Sequence, residues 1–476
     1  MPTVVPGYTI LPEPALSFHP ERRGDIDIHP LRGLLQFGPY SRLLMGRVDP
    51  IRVATIAPQG EQRRLFEFMR ELNQRQRPQE RLDYLPEWPG FEPVFRVRMT
   101  AAASGLHAEL EADLDAQLKA SERPQAVLAD ALSRALSVLG GRRSDFDVVF
   151  IYLPDRWESA FEGDDDDFDL HDFLKALAAM RDIPSQIVRE GSALSYPCRA
   201  SVMWRIGIAL YVKAGGVPWK LARFDPETAH IGLSYALRVR ADGVTQFVTC
   251  CSQVFDADGT GLEFVAYDTS DVVVFRENPY LSRTEMARVM ARSLALYQRR
   301  HAGKSPRRLV VQKGTDFKPN EVDGCFDALE SAAESIELVH VQQDSSWRGV
   351  QVDQPDRGSI GQASAFPPRR GTCLQLGSRE ILLWTQGSQL GIAPAGRNFY
   401  KEGRSIPAPL KLVRYAGHSP MTDPCHDVLG LSKMNWNNDS LYDRLPVTLG
   451  YAHVLARTVK RIESLPSRTY QFRFFM

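Results

Sequence analysis

Four residues within one stretch of this chain could together hold a phosphate. His171 and Lys175 stand four apart, so a helix would place them on one face. Gln186 follows soon after Pro184, and Lys213 closes a helical run over 200–212, just before Gly215-Gly216. The set offers an imidazole, two ammonium groups and an amide, all able to donate hydrogen bonds. Several charge-assisted donors fixed in a cup are what a terminal phosphate dianion requires. Lysine and glutamine on a helix face are more often solvated, so the spacing alone leaves both readings open. Other apparent motifs are incomplete. Gly303-Lys304-Ser305 is the tail of a phosphate-binding loop, but that motif needs a glycine where Gln298 stands and a strand where a helix is expected. Asp256-Ala-Asp-Gly259 opens like a calcium loop, yet Tyr267 occupies the closing carboxylate position, so a hairpin turn is expected there. There is no G-x-S-x-G for a hydrolase nucleophile. The acidic run over 162–169 reads as a solvated face that also caps the next helix.

The elements that must carry these residues alternate in type. The run 51–56 reads as a buried strand, 62–74 as an amphipathic helix, 94–99 as a further strand, and 106–139 as two helices parted near Pro124. A strongly apolar strand follows over 147–153. Such alternation predicts a parallel, Rossmann-like α/β sheet. A second series starts near Trp219. Strands are expected over 230–240, 244–251, 262–267 and 271–275, then a helix over 283–300 and a strand over 306–312. Hairpin-linked strands followed by a helix and a strand resemble the opening of an RNase H-like domain. The segment 348–372 reads as loop, 374–390 as a hairpin, and 446–462 as a helix opened by Pro446. Residues 1–40, rich in proline and glycine, read as an extended strap. The last residues, Tyr470-Gln-Phe-Arg-Phe-Phe-Met476, are too apolar for a frayed tail, so this end is expected to be tucked inside.

At 476 residues the chain exceeds one ordinary core and suggests two or three domains. Lysine plus arginine and aspartate plus glutamate both number 58, so any basic groove must be local and balanced elsewhere. Six cysteines without a C-x-x-C argue against structural zinc or a disulfide framework, and fit free thiols in a reducing cytosol. No secretory leader pattern opens the sequence, and no apolar run approaches the ~18 residues of a membrane span. A cytoplasmic protein without membrane partners is expected.

The phosphate-type residues also carry a resemblance. His171-x-x-x-Lys175, Gln186 and Lys213-Ala-Gly-Gly-Val-Pro-Trp219 are similar to the pocket of Argonaute MID domains that receives the 5′-phosphate of a guide strand. His171 stands where many relatives carry tyrosine. Downstream, Leu431-Ser-Lys-Met-Asn-Trp-Asn-Asn438 and Leu445-Pro-Val-Thr-Leu-Gly-Tyr-Ala-His453 resemble the end of PIWI domains. Pro12-Glu-Pro-Ala-Leu16 and Gly33-Leu-Leu-Gln-Phe-Gly-Pro-Tyr40 look like the start of short prokaryotic Argonautes.

The resemblance implies a strap at 1–40, a MID domain at 41–217 and an RNase H-like PIWI domain at 218–476. It implies a guide, by family habit RNA, that recognises single-stranded DNA of plasmid or phage. It also implies a heterodimer partner with an APAZ segment and a sirtuin-like or TIR NADase domain, acting in prokaryotic immunity. Active PIWI domains hold two divalent metals with about four side chains, mostly carboxylates. Here Ser234 and Gly314 occupy two carboxylate positions, Asp316 is displaced by two residues, Glu285 aligns poorly, and His453 matches the fourth position. A chain that does not cut is therefore expected; a guided endonuclease with an intact site is the alternative. A small-molecule α/β enzyme that binds a phosphorylated metabolite through Lys175 and Lys213 is a third reading. The resemblance further implies that the carboxylate of Met476 helps hold Mg²⁺ beside the guide phosphate, although the closing phenylalanines could equally serve only the core.

Overall fold

The structure is a computed structural model that describes residues 7–41, 50–163, 168–239, 245–269, 271–275, 278–353, 361–401, 405–437, 439–460 and 469–476. The chain forms two compact units, neither of them contiguous. The N-terminal unit comprises Ser17–Lys220, Trp436–Asp439 and Val454–Met476; the C-terminal unit comprises Met1–Leu16, Leu221–Asn435 and Ser440–His453. The sequence ranges 1–40, 41–217 and 218–476 follow chain order. The units differ from them because the strap is shared out and two late segments return to the N-terminal unit.

In the N-terminal unit four parallel strands lie in the order Met99–Ala101, Ile51–Ala57, Val148–Leu153, Ser185–Arg189, and His107–Glu109 also pairs with Ile51–Ala57. Every residue of Val148–Leu153 is buried, as a central parallel strand covered on both faces requires. Leu132 and Leu136 of the helix Pro124–Gly140 and Leu174 and Ala178 of the helix Leu170–Met180 join Val149 and Ile151 in one core. Three expectations fail here. The span 94–99 is not a strand: Phe91–Phe95 is helical, and only Met99 onward is extended. Phe91, Val94 and Phe95 are buried at helical spacing, and Arg96 closes the turn in the left-handed region at φ 57°. The strand His107–Glu109 lies inside a span read as helical; it is only three residues long and carries too little pattern to stand out. The strap is not wholly extended either, because Pro30–Phe37 is a helix opened by Pro30 and capped by His29, which accepts from the Arg32 amide. The acidic stretch 164–167 lies outside the described residues.

The C-terminal unit is built on one mixed sheet. Thr228–Val239, Thr245–Asp256 and Gly261–Thr269 are antiparallel neighbours, and on the other side of Thr228–Val239 lie the parallel strands Arg308–Lys313 and Ser335–Gln342. The sheet continues antiparallel through Leu410–Ala416, Glu380–Leu383 and Thr372–Gln375 to the edge strand Tyr8–Ile10. The central strands feed two cores by strict alternation. Leu309, Val311 and Leu338 face the helices Arg283–Arg300 and Pro319–Leu329, while Val310, Val339 and Val341 pack with Val428 and Leu449. Gly232 is required by a close approach, since a Cβ there would lie 2.2 Å from the Thr448 carbonyl oxygen. Cys198, Cys325, Cys373 and Cys425 are buried free thiols. No helix among the described residues is long and apolar enough to cross a membrane.

Candidate phosphate-binding site

The helix Leu170–Met180 starts on Asp169, whose side chain accepts from the Asp172 amide at 2.8 Å. This fixes His171 and Lys175 one turn apart on the same side. Ser185–Arg189, the last parallel strand, brings in Gln186. The helix Arg199–Lys213 is buried at nearly every position, and carries Arg205, Ala209 and Lys213 on one face at intervals of four. These three elements meet around a cavity of about 160 Å³ lined by His171, Lys175, Gln186, Lys213, Arg205 and Met476, among others. All of its lining residues belong to the N-terminal unit.

The electrostatics are unusual for a protein interior. Lys213 is 3% exposed; its Nζ donates to the Ser185 carbonyl at 2.6 Å and to Gln186 Oε1 at 2.9 Å. Burial, and then the like charge of Lys175, push its pKa well below the ordinary lysine value. Lys175 is 6% exposed and makes no hydrogen bond among the described residues. Burial lowers its pKa to about 8, against the attraction of Asp172. Gln186 is already engaged, because its Nε2 donates to the Ile187 carbonyl at 2.9 Å while Oε1 accepts from Lys213. Arg205 donates from Nη2 to the Ser192 carbonyl at 2.9 Å, leaving other guanidinium donors for the cavity. Two neighbouring buried amines, neither in a salt bridge among the described residues, form a cup suited to an anion.

Asp172 steadies this arrangement. It is fully buried and accepts from Arg457 Nε at 3.0 Å and from Thr458 Oγ1 at 3.5 Å. Burial alone would raise its pKa, but the His171 hydrogen bond and the Arg457 charge hold it well below the usual carboxylate range. Asp169, His171 and Asp172 offer ligand atoms within 4.8 Å of one another. Asp169 and Asp172 are spent on the helix start and on Arg457 and Thr458, so the trio reads as a brace under the cavity. The tail is tucked in as expected: Tyr470, Phe474, Phe475 and Met476 are buried, and Met476 reaches the cavity wall.

No protein-family sequence model and no curated protein sequence matches the chain. Solved structures do match it. They include Clostridium butyricum Argonaute bound to a guide DNA and a 19-mer target DNA (15% identity, TM-score 0.64, 99% of this chain and 55% of that one). Aquifex aeolicus Argonaute is similar at 16% identity and TM-score 0.61, over 99% of this chain and 56% of its own. Drosophila Piwi is similar at 14% identity and TM-score 0.62, over 98% and 56%. The fold is that of the Argonaute proteins. The chain spans a little over half the length of those structures, and its Rossmann-like and RNase H-like units are the α/β pair expected of a MID–PIWI arrangement.

Within the Argonaute fold the expected nuclease positions can be located. Ser234 is half-buried on Thr228–Val239, and Gly314 directly follows the neighbouring parallel strand, in which Lys313 pairs with Leu233. A Cβ on Gly314 would lie 3.3 Å from His453 Nε2, so Gly314 and His453 do come together. Asp316 is spent, accepting from Tyr280 Oη at 2.6 Å and Lys318 Nζ at 2.7 Å. Glu285 sits at the start of the helix Arg283–Arg300, bound to Arg288 at 2.7 Å. Beside Gly314 the interior holds a cation of its own: Lys313, 1% exposed, lies 2.7 Å from both Glu321 carboxylate oxygens, with the Tyr235, Tyr280 and Phe317 rings around it. Sequence reasoning missed Arg205 in the cup and Lys313 beside Gly314. The i, i+4, i+8 spacing of Arg205, Ala209 and Lys213 carried the signal for the first; nothing local to Lys313 carried one for the second.

Proposed function

We propose that this chain is the guide-holding subunit of a short-Argonaute system, and that the cup around Lys175 and Lys213 receives the 5′-phosphate of a guide strand. The observation that carries this is the pair of buried amines facing a small cavity, one of them without any hydrogen bond. Burying like charges side by side is unfavourable until an anion arrives. A phosphate dianion favours their charged forms and gives the Lys175 ammonium its missing acceptor. Lys213 then acts from a fixed position, since two of its three donors already hold Ser185 and Gln186 in place. Arg205 reaches the same wall two helical turns earlier. The exposed His171 imidazole also lines the cup, and in this reading it meets the terminal nucleotide.

A guide held this way would leave its bases free to pair with target, so sequence reading passes to base pairing and the protein contacts backbone. RNA as guide and single-stranded DNA as target are the proposed strands. Ser234 and Gly314 supply no carboxylate, and Asp316 and Glu285 are engaged elsewhere, which supports a subunit that binds target without cutting it. Output then falls to a partner. The proposed partner carries an APAZ segment and a sirtuin-like or TIR NADase, and is triggered when a target pairs.

In the same reading a divalent cation joins the site. Met476, the last residue, lines the cavity together with Lys175, Lys213 and Arg205, while Gln186 Oε1 already accepts from Lys213. Mg²⁺ binds readily through one carboxylate, phosphate oxygens and water. Held by Met476, it would screen that carboxylate from the guide phosphate. The lysines and Arg205 do the remaining work.

The test is binding of matched strands that differ only in a 5′-phosphate or a 5′-hydroxyl. Changing Lys175 and Lys213 to alanine should weaken the phosphorylated strand by about a hundredfold or more, at about 1.5–3 kcal/mol for each charged bond, and the hydroxyl strand far less. Equal weakening of both would overturn the assignment. Addition of matched target to the complex co-expressed with its partner should consume NAD⁺; a complex that keeps its NAD⁺ would refute the effector part alone.

A further inference from the structure

A second, larger cavity of about 660 Å³ lies wholly within the C-terminal unit, remote in chemistry from anything the guide reading uses. One wall is apolar, formed by Val322 and Phe326 of the helix Pro319–Leu329 together with Met421. The loop Gly417, His418 and Ser419 also lines the cavity, as does Arg379, whose carbonyl accepts from the Arg414 amide at 2.9 Å. No carboxylate is among the lining residues. Arg379 and His418 are both exposed and make no side-chain hydrogen bond or ion pair among the described residues.

The rim is held in shape from beneath. Arg414 is 7% exposed and donates from Nη1 to the Ser419 carbonyl at 2.6 Å and from Nη2 to Ser419 Oγ at 2.9 Å. Nη2 also reaches Glu337 Oε2 at 3.2 Å, and Arg308 stands 3.9 Å from the other oxygen of that carboxylate. Arg308 is also paired with Asp427 Oδ2 at 2.8 Å, so the two arginines and two carboxylates under the loop cancel, and Arg379 is the charged lining side chain left to supply the field of the rim. Gly417 is in the left-handed region at φ 117°, where a Cβ would meet the Glu337 side chain at 2.9 Å. The backbone amides of Gly417, His418 and Ser419 have no acceptor among the described residues. Consecutive unpaired amides beside a guanidinium form a concavity suited to an oxyanion. An apolar shelf adjoining an anion-binding rim selects a ligand with both features.

We infer that this cavity binds a nucleoside phosphate, its phosphate on the Arg379–His418–Ser419 rim and its base against Phe326 and Val322. The ligand is either a free mononucleotide or one nucleotide of a strand; the chemistry is shared. The full-length chain carrying Lys175→Ala, so that the other cup cannot compete, is titrated with AMP, adenosine and inorganic phosphate by calorimetry. AMP should bind saturably, with adenosine and phosphate each at least tenfold weaker. Arg379→Glu, an exposed change that leaves the fold alone, should weaken AMP by about tenfold or more, from one lost charged contact and one repulsive one. A ten-nucleotide strand that displaces AMP assigns the site to nucleic acid, and a strand that does not assigns it to the free nucleotide; both support the site. Absence of saturable AMP binding, equal affinity for adenosine and AMP, or an unchanged affinity in Arg379→Glu overturns it.

Discussion

Replacing Lys175 by methionine should make the protein more stable without ligand and nearly unable to retain a phosphorylated strand end. Lys175 is 6% exposed and its pKa falls from an ordinary 10.5 to about 8, chiefly through burial. That difference, at 1.36 kcal/mol for each pH unit, corresponds to about 3 kcal/mol of lost stability wherever both folded and unfolded states are protonated. The sign follows from proton counts. Below pH 8 both states hold the proton and the penalty is complete. Between about 8 and 10.5 the folded state has released it and the unfolded state has not, so stability rises with pH. Above 10.5 both are neutral and the penalty is gone. Lys175→Met keeps the chain length and removes the charge. Denaturant unfolding at pH 7 should therefore show the variant more stable by about 2–3 kcal/mol, with the advantage fading as pH rises through 8 to 10.5. The same variant should bind a 5′-phosphorylated strand tenfold to a hundredfold more weakly, from one lost charged bond. A variant that is less stable at pH 7, or whose advantage does not change with pH, would show that Lys175 is satisfied without a ligand.

Three further outcomes are expected. Purified protein with guide, matched target and Mg²⁺ or Mn²⁺ should yield no cleavage product on a denaturing gel; a discrete product opposite the middle of the guide would show that Ser234 and Gly314 are not the relevant positions. EDTA should weaken guide binding by about tenfold at most, because Lys175, Lys213 and Arg205 line the same cavity and would hold the phosphate without a metal. A polar extension after Met476 should abolish that EDTA response, and an unchanged response would make the tail purely structural. Asp172→Asn should lower stability by about 1–3 kcal/mol at pH 7 through its bonds to Arg457 and Thr458, measured by thermal unfolding. Since the folded state holds the Asp172 carboxyl well below its ordinary range, this contribution is present above that range and fades as acid protonates it, so the variant and the parent should converge at low pH.

Some of this protein was legible residue by residue. The run 147–153 is apolar enough to be a central strand wherever it sits, and Pro124 and Pro446 open helices because the proline ring fixes φ and needs no amide. The spacing of His171 and Lys175, and of Lys213 before two glycines, left solvated and phosphate-binding roles both open; that these residues line one cavity is a tertiary fact. Other features had no local signal. The run 94–99 looked extended because apolar residues dominate either pattern, and packing of Phe91, Val94 and Phe95 on one helical face settled its start as helix. His107–Glu109 is strand only because Ile51–Ala57 offers it an edge. That Lys213 spends two donors on Ser185 and Gln186 while Lys175 spends none cannot be read from spacing, since it depends on where two helices and a strand end in space. The same holds for Lys313, whose sequence neighbours are ordinary. Its burial against Glu321 and three aromatic rings exists only once the strand, the helix Pro319–Leu329 and the loop between them close around it. Sequence sets which groups are available and their local geometry; desolvation and charge compensation are sums over neighbours brought from far along the chain, and those only the tertiary structure decides.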